Sequence, residues 1–342
     1  MSILVVSNFL SSKGHNRAYS EDLADRLDAR GQPVIRTSSE IGRVRRLVDM
    51  LTTAFRRRRD YGFALIDVFS GPAFVWAEAV AFELRRLNKP YVLTLHGGQL
   101  PAFAQRWPAR VRRLLQSATA VTAPSGFLAE SMRAYRNDTR VIANALEIGD
   151  YVFSPRTRVE PRMVWVRAMH EIYNPVLAVD VLARVAAKHP TAHLVMVGPD
   201  KDGTLRSVEQ RAEALGVRDR LELAGAVPRT NIPSYLADAD IFLNTTNVDN
   251  TPLSILEAMA SGLCIVSTNV GGVPHLLADR ETALLVPPRS PVAMANAVDS
   301  ILSDQALAAR LSTQARVAAN ERRWERVLDQ WDRVFEEVAP RA

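Results

Sequence analysis

Short apolar runs and amphipathic stretches alternate along almost the whole chain. Residues 3–7 form an apolar run of strand type. A polar loop over 8–16 follows, containing Gly14, and then a helix pattern on Tyr19, Leu23 and Leu27 that stops at Gly31. The order repeats: a strand at 63–69, a helix from about 74 to 87, and a strand at 91–95 ending in His96-Gly97-Gly98. A helix carrying Arg110, Arg112 and Arg113 comes next, then strands at 120–123 and 140–142. Such alternation predicts a doubly wound parallel sheet, in which ligands sit beyond the carboxyl ends of the strands. The loops at 8–16, 96–98 and 124–126 are therefore candidate site loops. A lone histidine after a strand is usually structural, but the glycines beside His96 make ligand contact an equal alternative.

Residues 154–161 are polar with two prolines and read as an interdomain linker. Beyond them the alternation restarts, with strands at 163–166, 193–197, 221–224, 241–243, 265–267 and 283–286. Helices are expected at 175–188, 205–215, near 231–237 and at 252–261. A last helix over about 320–338 puts Trp324, Val327, Leu328, Trp331, Val334 and Phe335 on one side, which calls for a docking surface. The expected domains are 1–155 and 160–320, both Rossmann-like and facing across a cleft. Residues 321–342 are expected as a crossover helix packing back toward the first domain.

One helix pattern has two readings. Over 41–59, Ile41, Val44, Val48, Leu51 and Phe55 step by three and four to make one apolar stripe, beside Arg43, Arg45, Arg46 and Arg56 to Arg59. The stripe either faces the core under a solvated arginine face, or lies in a membrane interface and meets anionic lipid headgroups.

Composition narrows the classes. Apolar residues make up 47% of the 342 and charged residues 23%, as in a globular protein with a full core. The single cysteine, Cys264, opens an apolar run and reads as a buried small hydrophobe. The six histidines are scattered along the chain, and no metal is expected. No cleavable leader is visible, and no apolar run reaches the ~18–20 residues of a membrane span. The expected location is cytoplasmic, with peripheral attachment to the inner face of the membrane as its extension. The net charge of +6 is uneven: residues 1–155 hold 22 Lys and Arg against 14 Asp and Glu, a net +8, and the remainder 21 against 23, a net −2. That points to an anionic partner on the first half. Nucleic acid is not expected, because no aromatic platform interleaves with the positive charge.

The chemistry concentrates in residues 244–262. The run ends a buried strand, crosses a polar loop with Asp249, and enters a helix carrying Glu257 eight residues later, with Pro252 in the first turn and Gly262 at the stop. Amide groups at the helix N-terminus suit a phosphate, and carboxylates on either side suit hydroxyls. A nucleotide sugar offers both. A capped surface helix with two solvated acids is the other reading of the stretch alone.

With these motifs in order, the chain resembles the family-4 retaining glycosyltransferases of GT-B fold. The resemblance covers nearly the whole chain and is strongest over 193–290. Its specific part is Asp249-Asn250-Thr251-Pro252-Leu253, Glu257-Ala258-Met259-Ala260 and Gly262. Around it stand Val197-Gly198-Pro199, Leu223 to Pro228, Asn269-Val270-Gly271-Gly272-Val273-Pro274, Leu95-His96-Gly97 and Val141 to Asn144. The resemblance implies a metal-independent transfer from a nucleoside-diphosphate sugar to a glycan or lipid-linked hydroxyl acceptor, with no cofactor. It implies Asp249 at the donor sugar near the reacting carbon and Glu257 on the ribose hydroxyls. The amides between Asn250 and Leu253 would meet sugar or phosphate oxygens, and Arg167 the diphosphate. Gly14 would approach phosphate or sugar, His96 would bind the donor sugar, and the backbone near Val227 would contact the base.

Two departures stand out. Tyr173-Asn174 occupies the place of the family's Lys-Gly pair, which removes a cation from the diphosphate; Lys201 is a candidate substitute. Asp249 is one methylene shorter than the family's usual Glu. The missing lysine leaves a second reading open, a non-catalytic GT-B partner subunit or carbohydrate-binding protein.

Overall fold

A computed structural model describes residues 2–13 and 17–339, and the chain divides into two units. The first holds 1–144 together with 327–342. Its six strands are β1 (Ser2–Val6), β2 (Val34–Thr37), β3 (Tyr61–Val68), β4 (Tyr91–Leu95), β5 (Ala120–Ala123) and β6 (Arg140–Val141). They are parallel and ordered β2-β1-β3-β4-β5-β6. Helices α1 (Tyr19–Ala29), α2 (Arg43–Arg56), α3 (Phe74–Arg86), α4 (Leu100–Arg106), α5 (Pro108–Ser117) and α6 (Gly126–Ser131) make the connections. Every residue of β3 is buried, as its largely apolar run requires of a strand covered on both faces. β2, which the pattern does not announce, is an edge strand whose Arg36 is exposed.

Most of the apolar stripe at α2 does not face the core, and of its residues only Leu51 packs against it. Ile41, Val44, Val48 and Phe55 are 56%, 76%, 53% and 49% exposed, and the buried residues are Arg46, Met50 and Ala54. Val44 and Val48 lie two residues either side of Arg46, hence on the opposite face at ~100° per residue. The buried cation is satisfied. Its guanidinium donates to the Glu40 carbonyl (2.8 Å), the Ile41 carbonyl (3.1 Å) and Asn8 Oδ1 (2.8 Å), and lies 5.0 Å from the Trp76 ring centre.

The second unit runs from 145 to 326. Strands β7 (Arg162–Val166), β8 (His193–Val197), β9 (Leu221–Gly225), β10 (Ile241–Asn244), β11 (Cys264–Thr268) and β12 (Leu284–Val286) form a parallel sheet ordered β12-β11-β10-β7-β8-β9. Its helices are α7 (Pro175–Ala186), α8 (Thr204–Ala214), α9 (Ile232–Ala237), α10 (Leu253–Ser261), α11 (Pro291–Ser303) and α12 (Gln305–Asn320). α11 and α12 were not expected, although each begins at a capping side chain: Ser290 accepts from the Ala293 amide and Asp304 from that of Leu307. Cys264 is buried in β11.

Residues 154–161 are not a free linker but part of this second unit. Arg156 is 5% exposed, donates to the Ala239 carbonyl (2.6 Å) and pairs with Asp240 (3.1 Å). The division falls instead between Asn144 and Ala145.

The last helix, α13 (Trp324–Val338), starts in the second unit and belongs to the first from Val327 onward. Trp331, 1% exposed, stacks on Phe335, which meets the Phe63 ring at 5.3 Å. Its indole N–H donates to the Tyr19 hydroxyl (3.3 Å), and Arg30 pairs with Asp332 (3.2 Å). The apolar side of this helix is thus docked on the N-terminal unit, as its tryptophans predict. Among the described residues no helix is long and apolar enough to cross a membrane.

Both sheets contain a point where the chain reverses its direction of winding: between β1 and β3 in one, between β7 and β10 in the other. The carboxyl ends of such strand pairs open a crevice for ligands.

Candidate active site

In the second unit that crevice is bridged by charge. Arg167 directly follows β7 and Asp249 lies in the loop after β10; their Nη2 and Oδ2 atoms are 2.6 Å apart. The Asp249 loop is tied down from two sides. Toward the turn at 171–173, the Asn247 amide donates to the Ile172 carbonyl (2.8 Å) and the Thr245 hydroxyl to that of Tyr173 (2.8 Å). Toward the turn after β11, the Gly272 amide donates to the Asp249 carbonyl (2.9 Å). That approach needs glycine. A Cβ on Gly271, whose φ is +53°, would stand 2.1 Å from the Asp249 carbonyl oxygen, and one on Gly272 1.8 Å from that of Asn250.

Tyr173 fills the place of the expected lysine, and its ring centre lies 4.3 Å from the Arg167 guanidinium. The position has changed from a second cation to a face that holds the first. Asn174 takes over the glycine's backbone, with φ 48° and ψ 57°; asparagine is one of the few residues that enters this left-handed region readily. Lys201 is exposed in a bend, and its amide donates to the Met169 carbonyl.

α10 begins one residue later than expected. Pro252 is its N-cap, with φ −64° and ψ 118°, because its extended ψ keeps it outside the helix; Leu253 is the first helical residue. Gly262 stops the helix in the left-handed conformation. Asn250 N–H is not open, since it donates to its neighbour's Asp249 Oδ1 (2.8 Å), and Pro252 has no N–H. Among the described residues the amides of Thr251, Leu253 and Ser254 have no acceptor, and no side chain caps the helix. A nine-residue helix therefore presents its positive end unmet.

Glu257, on the second turn, is 5% exposed. Its Oε1 accepts from the Tyr151 hydroxyl (3.0 Å), and the Arg229 guanidinium approaches to 3.9 Å. Burial raises the pKa of Glu257, partly offset by Tyr151, Arg229 and Arg167. Burial likewise raises that of Asp249, against the opposing pull of Arg167 and the Asn250 amide. Both carboxyls are thus poised above the ordinary range. Val227, after the turn that leaves β9, packs against the core beneath α10.

Three buried side-chain polar atoms among the described residues have no hydrogen-bond partner: Arg167 Nε, Asn247 Oδ1 and Thr251 Oγ1. All three belong to this one crevice. Folded chains leave few such atoms, since each costs about 1–3 kcal/mol. A polar ligand with its own donors and acceptors would satisfy them.

In the first unit, His96 follows β4. Its Nε2 lies 2.9 Å from Asp67 Oδ1 at the end of β3, and its ring stacks on Phe69 at 5.0 Å. Gly14 lies outside the described residues. Sequence patterns do not single out Tyr151, Arg229 or Asp67. Arg229 lies one residue past the family-like segment that ends at Pro228.

Two family models match the chain. Residues 6–149 match that of glycosyltransferase family 4, and residues 156–318 that of glycosyl transferases group 1. The chain belongs to glycosyltransferase family 4. Its relatives include a phosphatidylinositol N-acetylglucosaminyltransferase subunit of Arabidopsis thaliana, 38% identical over 37% of this chain and 28% of that protein. The family-4 chain thus spans less than a third of that relative. The putative glycosyltransferase YtcC of Bacillus subtilis is 24% identical over 75% of this chain and 68% of its own length. Among solved structures, Anabaena HepE in complex with UDP superposes with a TM-score of 0.78 at 20% identity, over 98% of this chain and 100% of that one. The fold is α/β, of GT-B type, with two Rossmann-like domains.

Proposed function

We propose that this family-4 chain is a retaining glycosyltransferase that moves a sugar from a nucleoside-diphosphate sugar to a hydroxyl on a glycan or lipid-linked acceptor. The observation that carries this reading is the gathering of all three partnerless buried polar atoms, the Arg167–Asp249 pair and the uncapped end of α10 in one crevice. The Glu257 carboxylate then accepts from the ribose hydroxyls, and Asp249 from a hydroxyl of the donor sugar. The amides of Thr251 and Leu253, with the Thr251 hydroxyl, face phosphate or sugar oxygens at the helix N-terminus. Arg167, steadied by Tyr173, turns its unpaired Nε edge to the diphosphate and stabilises charge as the nucleoside diphosphate leaves. Backbone at Val227 borders the base. The leaving phosphate serves as base for attack from the same face, and these groups stand in for a metal ion.

A thermal-shift screen against UDP-, GDP- and ADP-sugars tests donor binding, followed by assay of nucleoside diphosphate release. UDP-sugars come first because the Anabaena neighbour holds UDP. Stabilisation without release would favour the non-catalytic partner role, which the absent lysine motivates. No stabilisation by any of them would refute the donor site.

For the acceptor side we propose an anionic membrane surface, met by α2. Ile41, Val44, Val48 and Phe55 stand exposed beside exposed Arg43, Arg45, Arg56, Arg57 and Arg59. Apolar insertion and headgroup attraction then act on one helix. The Arabidopsis relative, named for transfer to phosphatidylinositol, fits a lipid acceptor of that charge. In liposome co-sedimentation, anionic vesicles should retain the protein and neutral ones should not, and Val48→Glu should release it. Equal, negligible binding to both would refute this.

A further inference from the structure

The positive charge of the first unit lies on one side of its sheet. The crossovers β2–α2–β3, β3–α3–β4 and β4–α4–α5–β5 all step the same way along the strand order. Right-handed connections therefore set their helices on one face, and α1, stepping back from β1 to β2, on the other. α2 packs on α3, and α3 on α5. Residues 41–59, 74–86 and 100–117 of this layer carry 13 arginines against Asp49, Glu78 and Glu83, a net +10. The whole of residues 1–155 is only +8, so everything outside the layer comes to −2. Arg46 is buried, and most of the other arginines stand exposed.

The same layer bears exposed apolar side chains beyond α2. Val75 and Phe82 stand about two turns apart on α3 and are 46% and 53% exposed. Trp107, where α4 meets α5, is 44% exposed. Guanidinium groups flank each ring. Arg85 and Arg86 lie 5.9 and 5.8 Å from the Phe82 ring centre, Arg106 and Arg110 5.8 and 5.7 Å from that of Trp107, and on α2 Arg58 4.5 Å from that of Phe55. A protein partner is usually met by a patch whose centre is depleted of charge. An acidic polymer is gripped by charge and gains little from exposed valines. Rings interleaved with cations across a layer of helices suit the boundary of an anionic bilayer, where rings sit at headgroup depth and guanidinium groups meet phosphates.

We propose that α3 and the α4–α5 junction dock on an anionic bilayer together with α2, so that the helix layer lies flat on the surface with Phe82 and Trp107 as anchors. The inference rests on the reading of α2 as a membrane helix and extends it from one helix to a whole face. Each guanidinium brought near anionic headgroups strengthens binding by about fivefold, so the charges of α3 and α5 add to those of α2. The strands run along this face. The strand ends where ligands bind therefore open along the membrane rather than away from it.

The test uses the full chain and phosphatidylcholine vesicles with and without phosphatidylserine, their acyl chains brominated so that they quench tryptophan on contact. Trp107 is the exposed tryptophan among the described residues; Trp165, Trp324 and Trp331 are buried and Trp76 is half-buried. Anionic vesicles should quench the parent. Trp107→Phe should abolish most of that quenching while the protein still sediments with them. Phe82→Glu, with its thermal midpoint unchanged, should bind about tenfold more weakly. If anionic vesicles sediment the parent, an unquenched Trp107 or parent-like binding by Phe82→Glu overturns the proposal and leaves α2 acting alone. Sedimentation with neither kind of vesicle, or retention by dextran sulfate instead, overturns this proposal and the α2 reading together.

Discussion

Tyr151→Phe removes one oxygen from the chain and should move the pH dependence of donor binding. The Tyr151 hydroxyl donates to Glu257 Oε1 at 3.0 Å in a buried setting, whereas Arg229, at 3.9 Å, is half exposed and screened. The tyrosine is therefore the main neutral support of that charge. A hydrogen bond to a charged group contributes about 1.5–3 kcal/mol, and one pKa unit corresponds to about 1.4 kcal/mol. Losing it should raise an already elevated carboxyl further. The sign follows from the proposed role. Ribose hydroxyls need the ionised form, so affinity is full above the Glu257 pKa and is lost as pH falls through it. The variant should lose affinity at a higher pH than the parent, binding about tenfold more weakly on the acid side and nearly as well at alkaline pH. UDP-glucose is the suitable probe for calorimetry, because its diphosphate is esterified at both ends and adds no titration near neutrality. Glu257→Gln should lose the acid limb altogether. Superimposable pH profiles for the parent and Tyr151→Phe would refute the reasoning, whatever their absolute affinities.

Two further outcomes follow from the same crevice. Arg167→Ala should lower kcat by about 10²–10³, the usual loss when a donor to developing charge is removed, and steady-state release of nucleoside diphosphate measures it. Gly272→Ala places a Cβ 1.8 Å from the Asn250 carbonyl, so the Asp249 loop must shift. The variant should lose about 2 kcal/mol or more in chemical denaturation and bind UDP-glucose poorly; unchanged binding would show that the loop does not need its glycine support.

The parts of the fold legible in the sequence are those whose signal is local. β3, β4, β10 and β11 are buried along their whole length, so each appears as a largely apolar run. β2 is four residues at a sheet edge with one exposed arginine, and offers no such contrast. α2 illustrates a subtler limit. Its stripe was visible, but periodicity states only that two faces differ. The buried side is the small one, with Arg46 folded in beside Met50 and Ala54, and the larger apolar face is outside. The candidate site divides along the same line. Asp249, Glu257 and Arg167 stand in short motifs. Tyr151 reaches Glu257 across 106 positions and Asp67 reaches His96 across 29, and no spacing rule connects such pairs. Tyr173 was visible as a departure. Its stacking on Arg167 became apparent only when the two turns were brought together.

The central claim is that the Asp249 crevice performs glycosyl transfer. Release of nucleoside diphosphate from a screened sugar donor, compared between the parent and Asp249→Asn, tests it most directly. Asparagine keeps the shape of the loop and removes the charge that meets Arg167, and a circular dichroism melt monitors the fold alongside. The account predicts a folded variant whose release rate falls by about 10² or more. A folded Asp249→Asn protein releasing nucleoside diphosphate at the parent rate would contradict it.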